Sequence, residues 1–228
     1  MTSRKRTVAT ARAALASLTW VLALCIAVPA AAAETAPPAS GEWNFRALLD
    51  GKPIGQHRFS VNMLGSNERK VVSDASFTVT LLGFTAYRYR HQATEQWRGE
   101  CLSSLASTTD DDGRPTSVKT ALDGNALTVS TPGGAQSLKG CVMSFAYWNP
   151  QIQTQNRLLN AQTGQFEAVQ ISRVGSGAID VRGQTITATQ YRISGVAAPI
   201  DVWYSTQGDW VGLDSTVAGG RKLSYRLQ

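Results

Sequence analysis

Metal donors are scarce in this chain, which has two histidines and three cysteines among 228 residues. Zinc takes three or four such ligands, so no metal and no cofactor is expected. Long apolar runs are scarcer still. The one at residues 15–28 falls short of the roughly 20 residues that a bilayer-crossing helix needs. No block of like charge, no repeat of fixed period and no second proline-rich linker interrupts the chain. That excludes a solenoid or a string of modules and leaves one domain large enough for a substantial core.

The apolar run follows a basic head of Arg4, Lys5, Arg6 and Arg12 and precedes Ala31-Ala32-Ala33. This order is that of a secretory signal peptide with an A-x-A cleavage site, so residues 1–33 are read as a leader. Leu24 is too large to precede a lipidated Cys25, and Arg4-Lys5-Arg6 is not a twin-arginine pair. Ordinary export with cleavage is therefore expected, giving a periplasmic or secreted protein with no membrane anchor. Cleavage removes four cations and no carboxylate, so 22 basic against 16 acidic residues (net +6) becomes 18 against 16 (net +2). The remaining arginines are scattered singly, which argues against a nucleic-acid partner. In an oxidising compartment the two cysteines left, Cys101 and Cys141, are expected to form a disulfide.

Residues 34–40, ETAPPAS, read as a disordered spacer. From residue 41 to 228 the dominant signal is alternation of apolar and polar residues, broken by turns rich in Gly, Asp and Asn. Trp43, Phe45 and Ala47 alternate with Asn44 and Arg46, and Asp50-Gly51 then turns the chain. Residues 71–82 and 84–97 form a second pair around Gly83, and Gly113 and Gly133 mark further hairpins. The expected fold is all-β, a single antiparallel meander of about a dozen strands. It should form a strongly curved half-barrel or open barrel that hides its edges. Residues 142–164 break the alternation and make one irregular segment, in which Asn149-Pro150 starts a helical turn.

Strand parity gives the site candidates, because residues at i, i+2 and i+4 share a face. Tyr87, His91 and Glu95 fall on one face of their strand, and His57 falls on the face of Phe59 and Val61. Both histidines thus lie on apolar faces, either as hydrogen-bonded core groups or as lining of a cavity. His91 and Glu95 stand roughly 13 Å apart along a strand, so an acid/base or metal pair between them needs a third group. Asp110-Asp111-Asp112-Gly113 carries the carboxylates of a calcium loop but has Leu122 where an EF-hand has its glutamate; a hairpin turn is the plainer reading. Phe145, Tyr147 and Trp148, in the irregular segment, are either a plug over one end of the sheet or the aromatic wall of a pocket.

The runs GKPIGQHRF (51–59), TAYRYRH (85–91) and GCVMSFAYWNP (140–150), with VWY (202–204) and WVGL (210–213), resemble the exported proteobacterial family catalogued as domain of unknown function 6134. The layout is more weakly similar to domain of unknown function 3108, whose members look like curved sheets related to lipoprotein-carrier half-barrels. Neither resemblance implies a reaction, and no catalytic residue is expected. The favoured function is a non-catalytic binding or carrier module for a lipid-like or hydrophobic molecule, with His57, Tyr87, His91, Phe145, Tyr147 and Trp148 as pocket candidates. Two other readings stand beside it: a thiol-dependent hydrolase or transferase using Cys141 with a histidine base, and an envelope assembly partner that adds strands at a sheet edge.

Overall fold

The computed structural model describes residues 40–228 together with Thr2. The expected signal peptide, and the spacer up to residue 39, lie outside the described residues. Fifteen strands follow in order: β1 (Gly41–Leu49), β2 (Lys52–Gly65), β3 (Glu68–Leu81), β4 (Phe84–Arg98), β5 (Cys101–Asp111), β6 (Arg114–Asp123), β7 (Ala126–Thr131), β8 (Gly134–Lys139), β9 (Arg157–Leu159), β10 (Phe166–Ala168), β11 (Gln170–Val181), β12 (Gln184–Ser194), β13 (Ile200–Ser205), β14 (Trp210–Val217) and β15 (Arg221–Leu227). Thirteen of them make one antiparallel sheet in the order β11-β12-β13-β14-β15-β1-β2-β3-β4-β5-β6-β7-β8. Every neighbour within each arm is consecutive in sequence, and the first and last strands join the two arms, with Phe45 opposite Leu227. The sheet does not close, and β8 and β11 are its edges.

Alternation becomes sidedness in β1, where Trp43, Phe45 and Ala47 are buried and Asn44 and Arg46 exposed. The same parity buries Val71, Ser73, Ala75 and Phe77 of β3 and His91, Ala93, Glu95 and Trp97 of β4. In β14 the alternation fails, and five successive residues from Trp210 are buried. The reason lies in β11, which covers the other face: a Cβ on Gly212 would sit 2.5 Å from Ile179 Cδ1, so the Ile179 side chain would have to shift to admit one. At the same corner the Arg182 amide donates to the Leu227 carbonyl at 2.8 Å. A flat sheet would hold β11 and β15 four strand spacings, about 19 Å, apart.

Residues 140–169 cross between the two arms. The Cys101–Cys141 disulfide fastens their start, and beside it the Leu102 amide donates to the Val142 carbonyl at 2.8 Å. Asn149 caps the 3-10 turn Pro150–Thr154 by accepting from the Gln151 amide, as the Asn-Pro pair predicts. The short strands β9 and β10 pair with each other, and Ser144 bridges Leu159. Val142, Met143, Ala146, Trp148, Ile152, Leu158 and Leu159 are buried in the same core as the sheet. The segment is irregular in backbone yet apolar in what it buries, the composition of a plug packed on one sheet face.

Candidate functional site: an aromatic-walled cavity

The pairing registers set His57 of β2, Ala75 of β3 and His91 of β4 in one cross-strand row. The next row holds Phe59, Ser73, Ala93 and Ser107. Four of these seven inward positions, Ala75, Ser73, Ala93 and Ser107, carry small side chains where other inward positions carry Val, Leu or Phe. Small side chains leave space over the sheet, and the crossing segment does not fill it. A cavity of about 330 Å³ remains. Its floor is Ser73, Ala93 and Glu95; its wall is Phe145, Tyr147 and Trp148; its far side is Val196–Ala198 of the β12–β13 connection and Ser215–Val217 at the end of β14.

Five of the six pocket candidates therefore meet: His57, His91, Phe145, Tyr147 and Trp148 all line this cavity. Tyr87 does not. Its hydroxyl donates to Asp111 at 2.7 Å on the exposed side of the sheet end. The neighbouring aspartates are spent on local turn bonds, Asp110 accepting from the Gly113 amide at 2.7 Å and Asp112 from the Arg88 amide at 3.2 Å.

The polar groups of the cavity are paired with the protein rather than with one another. His57 Nε2 lies 2.8 Å from Ser73 Oγ, and its Nδ1 is 3.4 Å from the Tyr225 hydroxyl. His91 Nδ1 lies 2.9 Å from Thr109 Oγ1. Trp97 Nε1 donates to Glu95 Oε2 at 2.8 Å, and the Ser144 side chain supplies a second bond. Burial disfavours the charged form of each. It lowers His57 to about 3, helped by the nearby His91, and lowers His91 to about 4 against the pull of Asp74. Burial also raises the Glu95 carboxyl, outweighing the two donors that hold it down. At neutral pH both imidazoles are thus uncharged.

The aromatic wall is fixed from behind. Trp148 is 3% exposed, meets Trp97 edge-on at 5.4 Å and lies under the Arg69 guanidinium at 5.3 Å. Arg69 pairs with Glu100 at 3.1 Å, and the other oxygen of Glu100 accepts from Asn149 Nδ2 at 2.6 Å. The Tyr147 carbonyl accepts from the Tyr204 hydroxyl at 2.9 Å. The sulfur atoms of Cys101 and Cys141 are joined to each other, which leaves Cys141 no thiolate for the hydrolase reading.

Ser73, Ala93, Ser144 and the 196–198 and 215–217 edges were not singled out by sequence. The last three reach the cavity only through tertiary contacts. Ser73 and Ala93 did carry a signal, as small residues at inward parity.

The fold and cavity define an antiparallel all-β protein with an open sheet and a partly open, aromatic-walled pocket on one face. The chain belongs to the family described as Domain of unknown function (DUF6134), whose model matches residues 45–228. No curated protein matches it. Among solved structures, a beta-barrel-like protein of domain of unknown function DUF1849 from Brucella abortus superposes with a TM-score of 0.60 at 10% identity, covering 83% of this chain and 96% of that chain. That likeness shows a shared fold. LprF from Mycobacterium bovis is similar at 13% identity over 83% of this chain and 84% of that chain, with a TM-score of 0.27, too distant to carry an argument.

Proposed function

We propose that this protein is an exported, non-catalytic binding or carrier module that holds one hydrophobic molecule between its sheet and the 140–169 segment. One observation carries the reading: the cavity of about 330 Å³ stands where alanine and serine replace large inward residues. Its wall is aromatic and its histidines are held neutral. Such a lining suits an apolar ligand with one polar end. The volume is at the small end of ligand pockets, about 300–1,000 Å³, and favours a single acyl chain or ring system over a two-chain lipid. In this reading the meander is a strongly curved half-barrel, with the contact between Arg182 and Leu227 marking where its short arm curls. Export fits the disulfide, which persists in oxidising compartments.

The test is filling the cavity. Ala93→Leu places a larger side chain in the cavity floor, while Thr94→Leu adds the same bulk on the exposed face of the same strand. Titration with a dansylated single-chain fatty acid should show binding by the parent and by Thr94→Leu, and at least a tenfold loss in Ala93→Leu at equal folded fraction. Equal affinities for all three overturn the reading.

A further inference from the structure

The β3–β4 hairpin outruns its neighbours. Beyond Phe77 β3 pairs only with β4, and before Tyr89 β4 pairs only with β3. Residues 78–88 thus form a two-stranded arm projecting from the sheet end. Its tip is apolar: Leu81, Leu82 and Phe84 are 66%, 89% and 78% exposed. The turn itself does not require this chemistry. Leu82 adopts φ 51 ahead of Gly83 at φ 86, and the β1–β2 and β5–β6 turns repeat that geometry with Asp50-Gly51 and Asp112-Gly113. Asp tolerates the left-handed region and a bulky apolar side chain does not. The arm keeps a leucine at a strained, solvent-facing position where this fold twice uses aspartate.

Charge narrows what covers the tip. From residue 75 to 94 the chain holds Arg88 and Arg90 and no carboxylate, and both arginines are exposed on the outer face of β4. Asp111 and Asp112 reach only the base of the arm, at Tyr87 and Arg88, and below it Asp110 stands opposite Arg90 in the register. Three apolar side chains at a projecting tip, with cations set back from it, match a surface that is anionic outside and fluid and apolar beneath. The turns alternate ends along the meander, which puts this tip at the same end as the β12–β13 connection and the end of β14 that border the cavity.

We infer that the β3–β4 arm is a membrane-docking element, inserting Leu81, Leu82 and Phe84 into the interface of an anionic lipid bilayer with Arg88 and Arg90 against the headgroups. This goes beyond the cavity reading and does not depend on it, so Ala93→Leu should dock as the parent does.

Vesicle co-sedimentation of the purified protein tests it. Vesicles of phosphatidylethanolamine with phosphatidylglycerol should bind the parent and phosphatidylcholine vesicles should bind it less. Leu82→Asp introduces the residue that two of the three equivalent turns carry, the third having Arg182, so it should stay folded and lose roughly tenfold or more in binding, as burying a leucine implies. Phe84→Thr should lose a similar factor. Leu122→Asp, at an apolar residue 47% exposed beside the β6–β7 turn at the opposite end, should bind as the parent does. Absence of parental binding, or equal binding by Leu82→Asp and the parent, overturns the inference. So does a concentration-dependent dimer in sedimentation velocity that Leu82→Asp abolishes while vesicle binding stays unchanged, because the tip would then serve a second copy.

Discussion

His57 and His91 stand on β2 and β4 with only Ala75 of β3 between them in their row, and both are held uncharged by burial, at about 3 and about 4. The ordinary histidine value is 6.5, so as pH falls below it the unfolded chain takes up protons that the folded chain refuses, and stability drops. Glu95 acts in the opposite sense. Its raised carboxyl keeps a proton above the ordinary 4.5, which offsets part of the histidine loss. Two histidines set an upper limit of about 2.7 kcal/mol per pH unit on the loss between 4.5 and 6.5, and Glu95 lowers it. Glu95→Gln removes the offset, and its slope should be steeper than the parent's and approach that limit. Urea unfolding at several pH values between these limits measures both, and a flat profile in the parent would contradict the neutral-histidine cavity.

The Cys101–Cys141 bridge spans 40 residues of sequence. In the chain-entropy model such a loop contributes on the order of 4 kcal/mol. Cys101→Ser with Cys141→Ser should lower the urea midpoint by the corresponding amount, and thiol labelling of the denatured, unreduced parent should find neither cysteine free. Labelling of both would remove the bridge and reopen Cys141 as a nucleophile.

Trp148→Ala is expected to act first on stability, because its ring is sandwiched by Trp97 and Arg69 and is 3% exposed. A loss of about 3–5 kcal/mol is typical for a packed large aromatic. Probe uptake by this variant has meaning only at matched folded fraction. A change below about 1 kcal/mol would show that the wall is looser than its packing implies.

Asp214 accepts from three donors, Trp203 Nε1 at 2.9 Å, Ser224 Oγ at 2.6 Å and Arg226 at 2.8 Å, and faces the Lys222 ammonium at 3.6 Å. Its carboxyl is lowered overall, the donors and the Arg226 charge outweighing the burial that would raise it. Asp214→Asn keeps the shape and removes the charge, leaving the half-buried Arg226 uncompensated. We expect a loss of about 1–3 kcal/mol near neutral pH, shrinking as acid protonates the wild-type carboxyl. Thermal unfolding across pH measures it.

The alternation in residues 42–49, 71–81 and 84–97 was enough to read an antiparallel meander, because a period of two puts side chains on opposite faces whatever the distant contacts are. Asp-Gly pairs likewise revealed hairpins from backbone sterics alone, and Asn149-Pro150 its helical turn. Parity put His57 and His91 on apolar faces, and they line the cavity. Parity also put Tyr87 there, but β4 runs beyond the rows that the crossing segment covers, so the same face is open to solvent and Tyr87 turns to Asp111. The cysteine count likewise paired Cys101 with Cys141, as the structure joins them. What only the tertiary structure decided was the pairing of β1 with β15 and the seat of residues 142–159 against the sheet. These depend on contacts between residues far apart in sequence, for which no local period carries information. The cavity follows from them: Ala93 and Ser73 are merely small residues until Phe145 and Trp148 are brought over them and stop short of filling the space.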